Sequence, residues 1–138
     1  MVHKLRHQSE LALIREDDPY FSGTLAKGLM ILQAFLHEPR PHANSELAEK
    51  LGLPRPTVSR LCRTLLALGY LDHDERIDRY FIGPAAVALG YPYLASNIVR
   101  SQARPSMQAL ANQVRGACSI GVAFGLDMVY VETCAYQR

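Results

Sequence analysis

Leu25, Leu29, Leu32 and Leu36 recur at the period of an α-helix, and Met30, Ile31 and Phe35 add apolar surface beside them. This pattern predicts a helix from Thr24, as N-cap, to about His37, apolar around so much of its circumference that it needs two partners. EPRPHAN then breaks it, since Pro39 and Pro41 cannot continue the hydrogen-bonded ladder. Asn44 is the expected cap of a short second helix, SELAEKL, with Glu46 in its first turn and Leu47, Ala48 and Leu51 on its inner face. Gly52 permits a sharp exit and Leu53 anchors the turn. A third helix starts at Pro54 to Pro56, where missing N–H groups cost nothing, and ends at Gly69. YLDHD and RYFIG read as two short strands joined by the polar tip ERID.

Downstream, Pro84 opens AAVALGYPYLAS, and a further helix is expected from about Asn97 to Val114, with Pro92 and Pro105 bending or restarting these helices. CSIGVAF and MVYVETC, separated by GLD, read as a hairpin. Its apolar face is Ile120, Val122, Phe124, Val129 and Val131, covered on one side by Met107, Leu110 and Val114. A two-stranded hairpin is marginal in water, so this tail is expected to be the weakest part of the fold. Residues 1–22 show no sustained period and read as a mobile arm with a short helix near Leu5 to Ile14. The chain is therefore mainly α with small β. Its expected parts are an arm (1–22), a winged helix-turn-helix (23–83), a linker helix (84–96) and a helix plus hairpin (97–138).

Composition changes this picture little. The 138 residues are 49% hydrophobic and 20% charged, as in an ordinary globular chain. No apolar run approaches the ~20 residues needed to cross a bilayer, and MVHKLRHQSE lacks an apolar signal core, so no membrane partner and a cytoplasmic address are expected. Cys62, Cys118 and Cys134 have no metal-binding spacing and read as small buried hydrophobes. No metal or cofactor is expected.

The distribution of charge is more informative than its net value of +2. Arg55, Arg60 and Arg63 lie between Leu51 and Leu71, a stretch without Asp or Glu, while the acids of the following hairpin fall between Asp72 and Asp78. With Val58 at zero on a helical wheel, Leu61, Cys62, Leu65 and Leu68 cluster around it, and Arg60 and Arg63 fall at roughly 200° and 140°. Pro56 and Ala67 share that outward ridge, with Thr57, Ser59 and Thr64 as hydroxyl-bearing flanks and Arg55 at the entering end. Solvated helix faces normally mix signs; this one does not. A short helix, a glycine turn, an Arg/Ser/Thr-faced helix and a hairpin together describe a winged helix-turn-helix that places its third helix in the DNA major groove. Arg76 and Arg79 on the wing are candidate phosphate or minor-groove contacts, but Asp72, Asp74, Glu75 and Asp78 surround them with the wrong sign for a polyanion. The wing is therefore given a positioning role at most.

TLAKGLMILQAF, SELAEKLGLPRPTVSRLCRTLLALGYL, RYFIG and a following LG resemble the isocitrate lyase regulator (IclR) family of bacterial transcription factors. ARPSMQALANQVRGACSIGVAFGLDMVYVE resembles the opening of that family's effector-binding domain. The resemblance implies a dimer or tetramer whose winged helices bind a partly palindromic operator on double-stranded DNA, and a linker helix at Pro84 to Ser96 that helps subunits pair. It also implies an α/β domain that binds a small-molecule effector. By position, it assigns DNA recognition to Arg55, Thr57, Ser59, Arg60 and Arg63, with Pro56 departing from the small hydroxyl residue common there. A helix and a hairpin cannot enclose a ligand pocket of ~300 Å3 or more. The ligand-sensing half is thus expected to be largely missing, and an effector site only where the full-length domain is present.

The alternative is a winged-helix protein-interaction module whose Arg60 and Arg63 meet an acidic protein. Catalysis has no support in the sequence: His3, His7, His37, His42 and His73 fall in loops and termini and read as solvated, without a nucleophile-and-base pairing. A thiol sensor using Cys118 and Cys134 lacks nearby positive charge to lower a thiol pKa.

Overall fold

A computed structural model describes residues 18–124 and 127–137. Residues 1–17 of the arm, with its expected helix, and two residues of the GLD turn lie outside the described residues. The chain forms two compact units that divide after Ala88.

In the first unit, α1 (Gly23–His37), α2 (Asn44–Leu51) and α3 (Arg55–Ala67) are followed by the antiparallel strands β1 (Leu71–Asp74) and β2 (Arg79–Ile82). The hairpin registers Leu71 with Ile82 and Asp74 with Arg79. His42 extends it, exchanging backbone hydrogen bonds with Tyr80 at 2.9 Å in both directions. Met30, Ile31, Ala34 and Phe35 of α1, Leu47, Ala48 and Leu51 of α2, Val58, Leu61 and Cys62 of α3, and Leu71 make one core. Burial pushes the Cys62 thiol up to about 12, which leaves it inert.

The leucine stripe expected to lead this core does not. Leu25, Leu29 and Leu36 are exposed, and the buried residues of α1 lie on roughly the opposite side of the helix. Two apolar faces compete on α1. The one bearing Met30, Ile31, Ala34 and Phe35 meets the core. Leu68, expected in the core, is exposed as well, since α3 ends at Ala67 and the chain turns there.

The caps shift by one or two positions. Ser22, in extended conformation, caps α1 by accepting from the Leu25 N–H at 3.3 Å, not Thr24. Ala43 occupies the N-cap of α2 and Asn44 is its first helical residue. The Glu46 carboxylate accepts from the Ala43 N–H at 2.7 Å, replacing the cap that Asn44 was expected to supply. Gly52 (φ 65°) ends α2 and Gly69 (φ 78°) follows α3, both in the left-handed region as the turns require. The Leu53 N–H donates to the Ala48 carbonyl at 3.0 Å, and that of Tyr70 to the Leu65 carbonyl at 2.9 Å.

The wing is stitched to the next helix, α4 (Pro84–Ser96), at the turn that follows α3. The Gly83 N–H donates to the Tyr70 carbonyl at 2.9 Å and that of Ala85 to the Gly69 carbonyl at 3.1 Å. A Cβ at Gly83 would collide with the Gly69 carbonyl oxygen, so backbone meets backbone here. α4 carries no charge and buries none of its residues.

In the second unit, α5 (Ile98–Val114) packs on β3 (Ala117–Phe124) and β4 (Asp127–Ala135), an antiparallel pair with an irregularity between Ile120 and Gly121. Asn97 caps α5, accepting from the Arg100 N–H at 3.0 Å. Pro92 and Pro105 sit inside α4 and α5 without ending either helix. Each removes one ladder hydrogen bond, a loss that a solvent-exposed helix face absorbs by hydrating the freed carbonyl. The face of α5 that meets the hairpin is Ala103, Met107 and Ala111, packed against Cys118, Ile120 and Cys134. Leu110 and Val114, expected there, are exposed. Cys118 and Cys134 are register partners across the strands, and both are free thiols. Glu132 is held between Arg104, at 2.9 Å from Oε1, and Arg100, at 3.1 Å from Oε2 but off the hydrogen-bond axis. The Arg104 hydrogen bond keeps the Glu132 carboxyl below the usual carboxylate range.

Candidate nucleic-acid interface

Helical geometry distributes the polar residues of α3 over two adjacent ridges. Arg55, Ser59 and Arg63 are spaced four apart along one, while Pro56, Arg60 and Ala67 lie along the next. Every one of these six side chains is exposed, and Thr57 is half-buried on the flank. Pro56, at the second helical position, sits where its missing N–H has no intrahelical acceptor.

None of Arg55, Arg60 and Arg63 has an ion-pair partner among the described residues. Two acids of the first unit are held by other cations. Glu38 holds Lys50 at 2.7 Å and Arg40 at 3.0 Å, and the Lys50 hydrogen bond keeps its carboxyl below the usual range. Glu46 receives the Ala43 N–H and pairs with Arg79 and Arg40, which hold its carboxyl low in that order of cause. Glu38 and Glu46 are thus engaged with other cations, and no acid among the described residues pairs with an α3 arginine.

The wing arginines behave differently. Arg76 makes a two-point contact with Asp74, Nε to Oδ1 at 3.3 Å and Nη2 to Oδ2 at 3.2 Å, which lowers the Asp74 pKa. Its side chain is otherwise exposed at the tip. Arg79 pairs with Glu46, tying β2 to α2 across 33 positions of sequence. The structure therefore does not bring Arg76 and Arg79 onto the arginine ridges of α3.

The hydroxyls of α3 are not equivalent. Thr64 Oγ1 donates to the Arg60 carbonyl at 3.1 Å, so its proton is spent on its own helix. Ser59 Oγ instead receives a hydrogen bond from Asn44 Nδ2 at 3.0 Å. Nothing local in the sequence marked Asn44 as part of this face, since the two residues are 15 apart and meet only because α2 docks beside α3.

His42, expected in solvent, is fully buried, and its ring meets Phe35 edge-on with centroids 4.9 Å apart. Nε2 lies 3.0 Å from the Glu38 carbonyl oxygen, which can only accept, so Nε2 carries the proton and Nδ1 is a bare acceptor without a partner. Burial, seconded by Lys50 and Arg40, pushes the His42 pKa below its ordinary value despite that hydrogen bond. His73 is also not simply solvated: its Nε2 lies 3.0 Å from Asp78 Oδ1. For His42 the unfolded chain, with pKa ~6.5, takes up a proton that the folded chain refuses. Stability of the first unit should then be full above about pH 6.5 and fall with pH until it passes the depressed folded value. Melting midpoints from pH 7.5 to 5 should show this slope, and His42→Gln, which keeps a polar group near the Glu38 carbonyl but does not titrate there, should flatten it. Identical slopes for the two proteins would remove His42 as the cause.

Three helices, a glycine turn before an arginine-faced third helix, and a hairpin wing define a winged helix-turn-helix protein. Residues 24–75 match the IclR helix-turn-helix domain. The chain is 38% identical over 111 residues to the HTH-type transcriptional regulator TsaQ1/TsaQ2 of Comamonas testosteroni, covering 80% of this chain and 40% of that protein. It is 31% identical over 118 residues to the Pca regulon regulatory protein of Pseudomonas putida, covering 86% of this chain and 40% of that one. The crystal structure of an IclR family transcriptional regulator from Brucella abortus superposes with a TM-score of 0.79 at 37% identity, over 90% of this chain and 47% of that chain. The chain belongs to the IclR family. It spans less than half the length of these relatives. No described helix is long and apolar enough to cross a membrane.

Proposed function

We propose that the chain is a sequence-specific, DNA-binding transcriptional regulator that lays α3 in the major groove of a partly palindromic operator. The observation that carries this reading is the set of uncompensated arginines on α3: a guanidinium offers two donors that match the two acceptors of a guanine edge. Arg60 and Arg63 are the base-reading candidates, Arg55 and Thr57 flank them at the entering end, and Thr64 lies exposed beyond them. Arg76, exposed at the wing tip, would have to leave Asp74 to reach a phosphate; Arg79 braces the wing through Glu46. No catalytic step belongs to this reading. The protein-interaction alternative is less favoured, because the relatives are named as regulators and the match falls on the helix-turn-helix itself.

A homodimer is part of the proposal, with a tetramer as its doubling. Leu25, Leu29 and Leu36 leave an apolar face of α1 uncovered, and Val87, Leu89, Tyr91 and Tyr93 do the same on α4. A second copy of the chain covers both kinds of face and supplies the second recognition helix. Residues 97–138 represent the start of an α/β effector domain, whose small-molecule site belongs to the full-length domain.

Selection of bound sites from a random duplex pool tests the reading. The expected product is an inverted repeat with half-sites about one helical turn, ~34 Å, apart or a multiple of that, bound by a species that sediments as a dimer or larger. A pool that shows no enrichment would remove DNA recognition. Enrichment of a single, unrepeated site by a monomer would remove the dimer.

A further inference from the structure

The contact between Asn44 and Ser59 lies against the arginine face of α3 yet serves neither the core nor a helix cap. Asn44 is half-buried at the start of α2, Ser59 is exposed midway along α3, and Asn44 Nδ2 donates to Ser59 Oγ at 3.0 Å. Ser59 sits between Arg55 and Arg63 on one ridge and next to Arg60, so its hydroxyl is central to the outward surface. A serine hydroxyl has one proton to give and accepts through its lone pairs. Here Asn44 occupies an accepting position, and no protein acceptor among the described residues takes the Ser59 proton. The hydroxyl proton is left for an acceptor outside the described residues. Thr64 supplies the contrast, because its proton is already held by the Arg60 carbonyl at 3.1 Å.

We infer that Asn44 is a positioning residue for DNA reading, which fixes the Ser59 hydroxyl as a donor to an acceptor on a base edge in the major groove: a purine N7, guanine O6 or thymine O4. This inference rests on the proposed DNA-binding role. A short side chain midway along the ridge reaches such an edge only where the helix backbone comes close to the groove floor, and the exposed, small Pro56 and Ala67 beside it leave room for that approach. The amide donor of Asn44 makes the Ser59 contact directional, and cytosine, which offers an N4 donor at that edge, is selected against.

The test compares the full chain with Asn44→Ala, Ser59→Ala and the double variant by duplex selection, by affinity for the selected site and by thermal melting. Each single variant is expected to relax the preference at the same one base pair of each half-site by about fivefold, the loss of one neutral hydrogen bond. The double variant is expected to lose no more than the worse single, because both residues act through one proton. Melting midpoints should stay together. An Asn44→Ala variant with unchanged base preference overturns the inference. So does a uniform loss of affinity across all sequences, which marks a phosphate contact, and so does a lowered melting midpoint with intact selection, which marks a strut between α2 and α3. Failure of the unmodified chain to select any site would instead sink the DNA-binding reading itself.

Discussion

Arg60→Ala and Arg63→Ala should each weaken binding to the selected duplex by about 1 to 3 kcal/mol, the worth of one bidentate contact to a base. Both should also relax sequence preference, at different positions of the half-site, because the side chains lie on adjacent ridges and about one turn apart along α3. Both residues are exposed, with no ion pair to break among the described residues, so melting midpoints should be little changed. The double variant should approach the residual, salt-sensitive binding that phosphate contacts alone supply. Arg55→Ala offers a comparison, since its place at the entering end predicts the loss of a backbone contact and a more uniform weakening. If Arg60→Ala or Arg63→Ala bound the selected site with unchanged affinity and preference, that arginine would lose its role.

Val58→Asp should abolish DNA binding by another route, the unfolding of the first unit. Val58 is fully buried among residues that include Ile31, Leu47 and Cys62, none of which offers a charge or a strong hydrogen-bond donor. Burying a carboxylate there costs several kcal/mol even after the protein relaxes. Domains of this size have only about 5 to 15 kcal/mol of stability to lose. Circular dichroism should show loss of helix and of the cooperative melt, with binding lost in parallel. A Val58→Asp protein that melts like the parent would mean that this position is not in the core, and the assignment of the outward face, which is measured from it, would fall too.

Much of the recognition element is legible in the amino-acid order because it depends on local rules. Pro54 and Pro56 mark the start of α3, Gly52 and Gly69 take the left-handed conformations that end α2 and follow α3, and the period of Val58, Leu61 and Cys62 fixes which side of α3 is buried. Once that side is fixed, Arg60 and Arg63 must point the other way. The wing follows from two short strand-forming runs around a polar tip, and the structure places both.

What the order of residues left open is what depends on docking. α1 has two apolar faces of similar strength, and periodicity names both without saying that Met30, Ile31, Ala34 and Phe35 turn inward while Leu25, Leu29 and Leu36 turn out. On α5 the small residues Ala103 and Ala111 flank Met107 against the hairpin and displace Leu110 and Val114, because close approach outweighs the hydrophobicity of a single larger side chain. His42 reads as a loop histidine until the segment before α2 pairs with Tyr80 and closes the ring against Phe35. The same holds for the ion pair of Arg79 with Glu46, which takes the wing's inner arginine out of the candidate interface, and for the hydrogen bond of Asn44 with Ser59, which brings a new residue to it. A helix period or a turn propensity acts over a few residues. A contact across 15 or 33 positions exists only after the elements have packed, so the tertiary structure alone decided which polar groups of this protein neutralise one another and which remain for a partner.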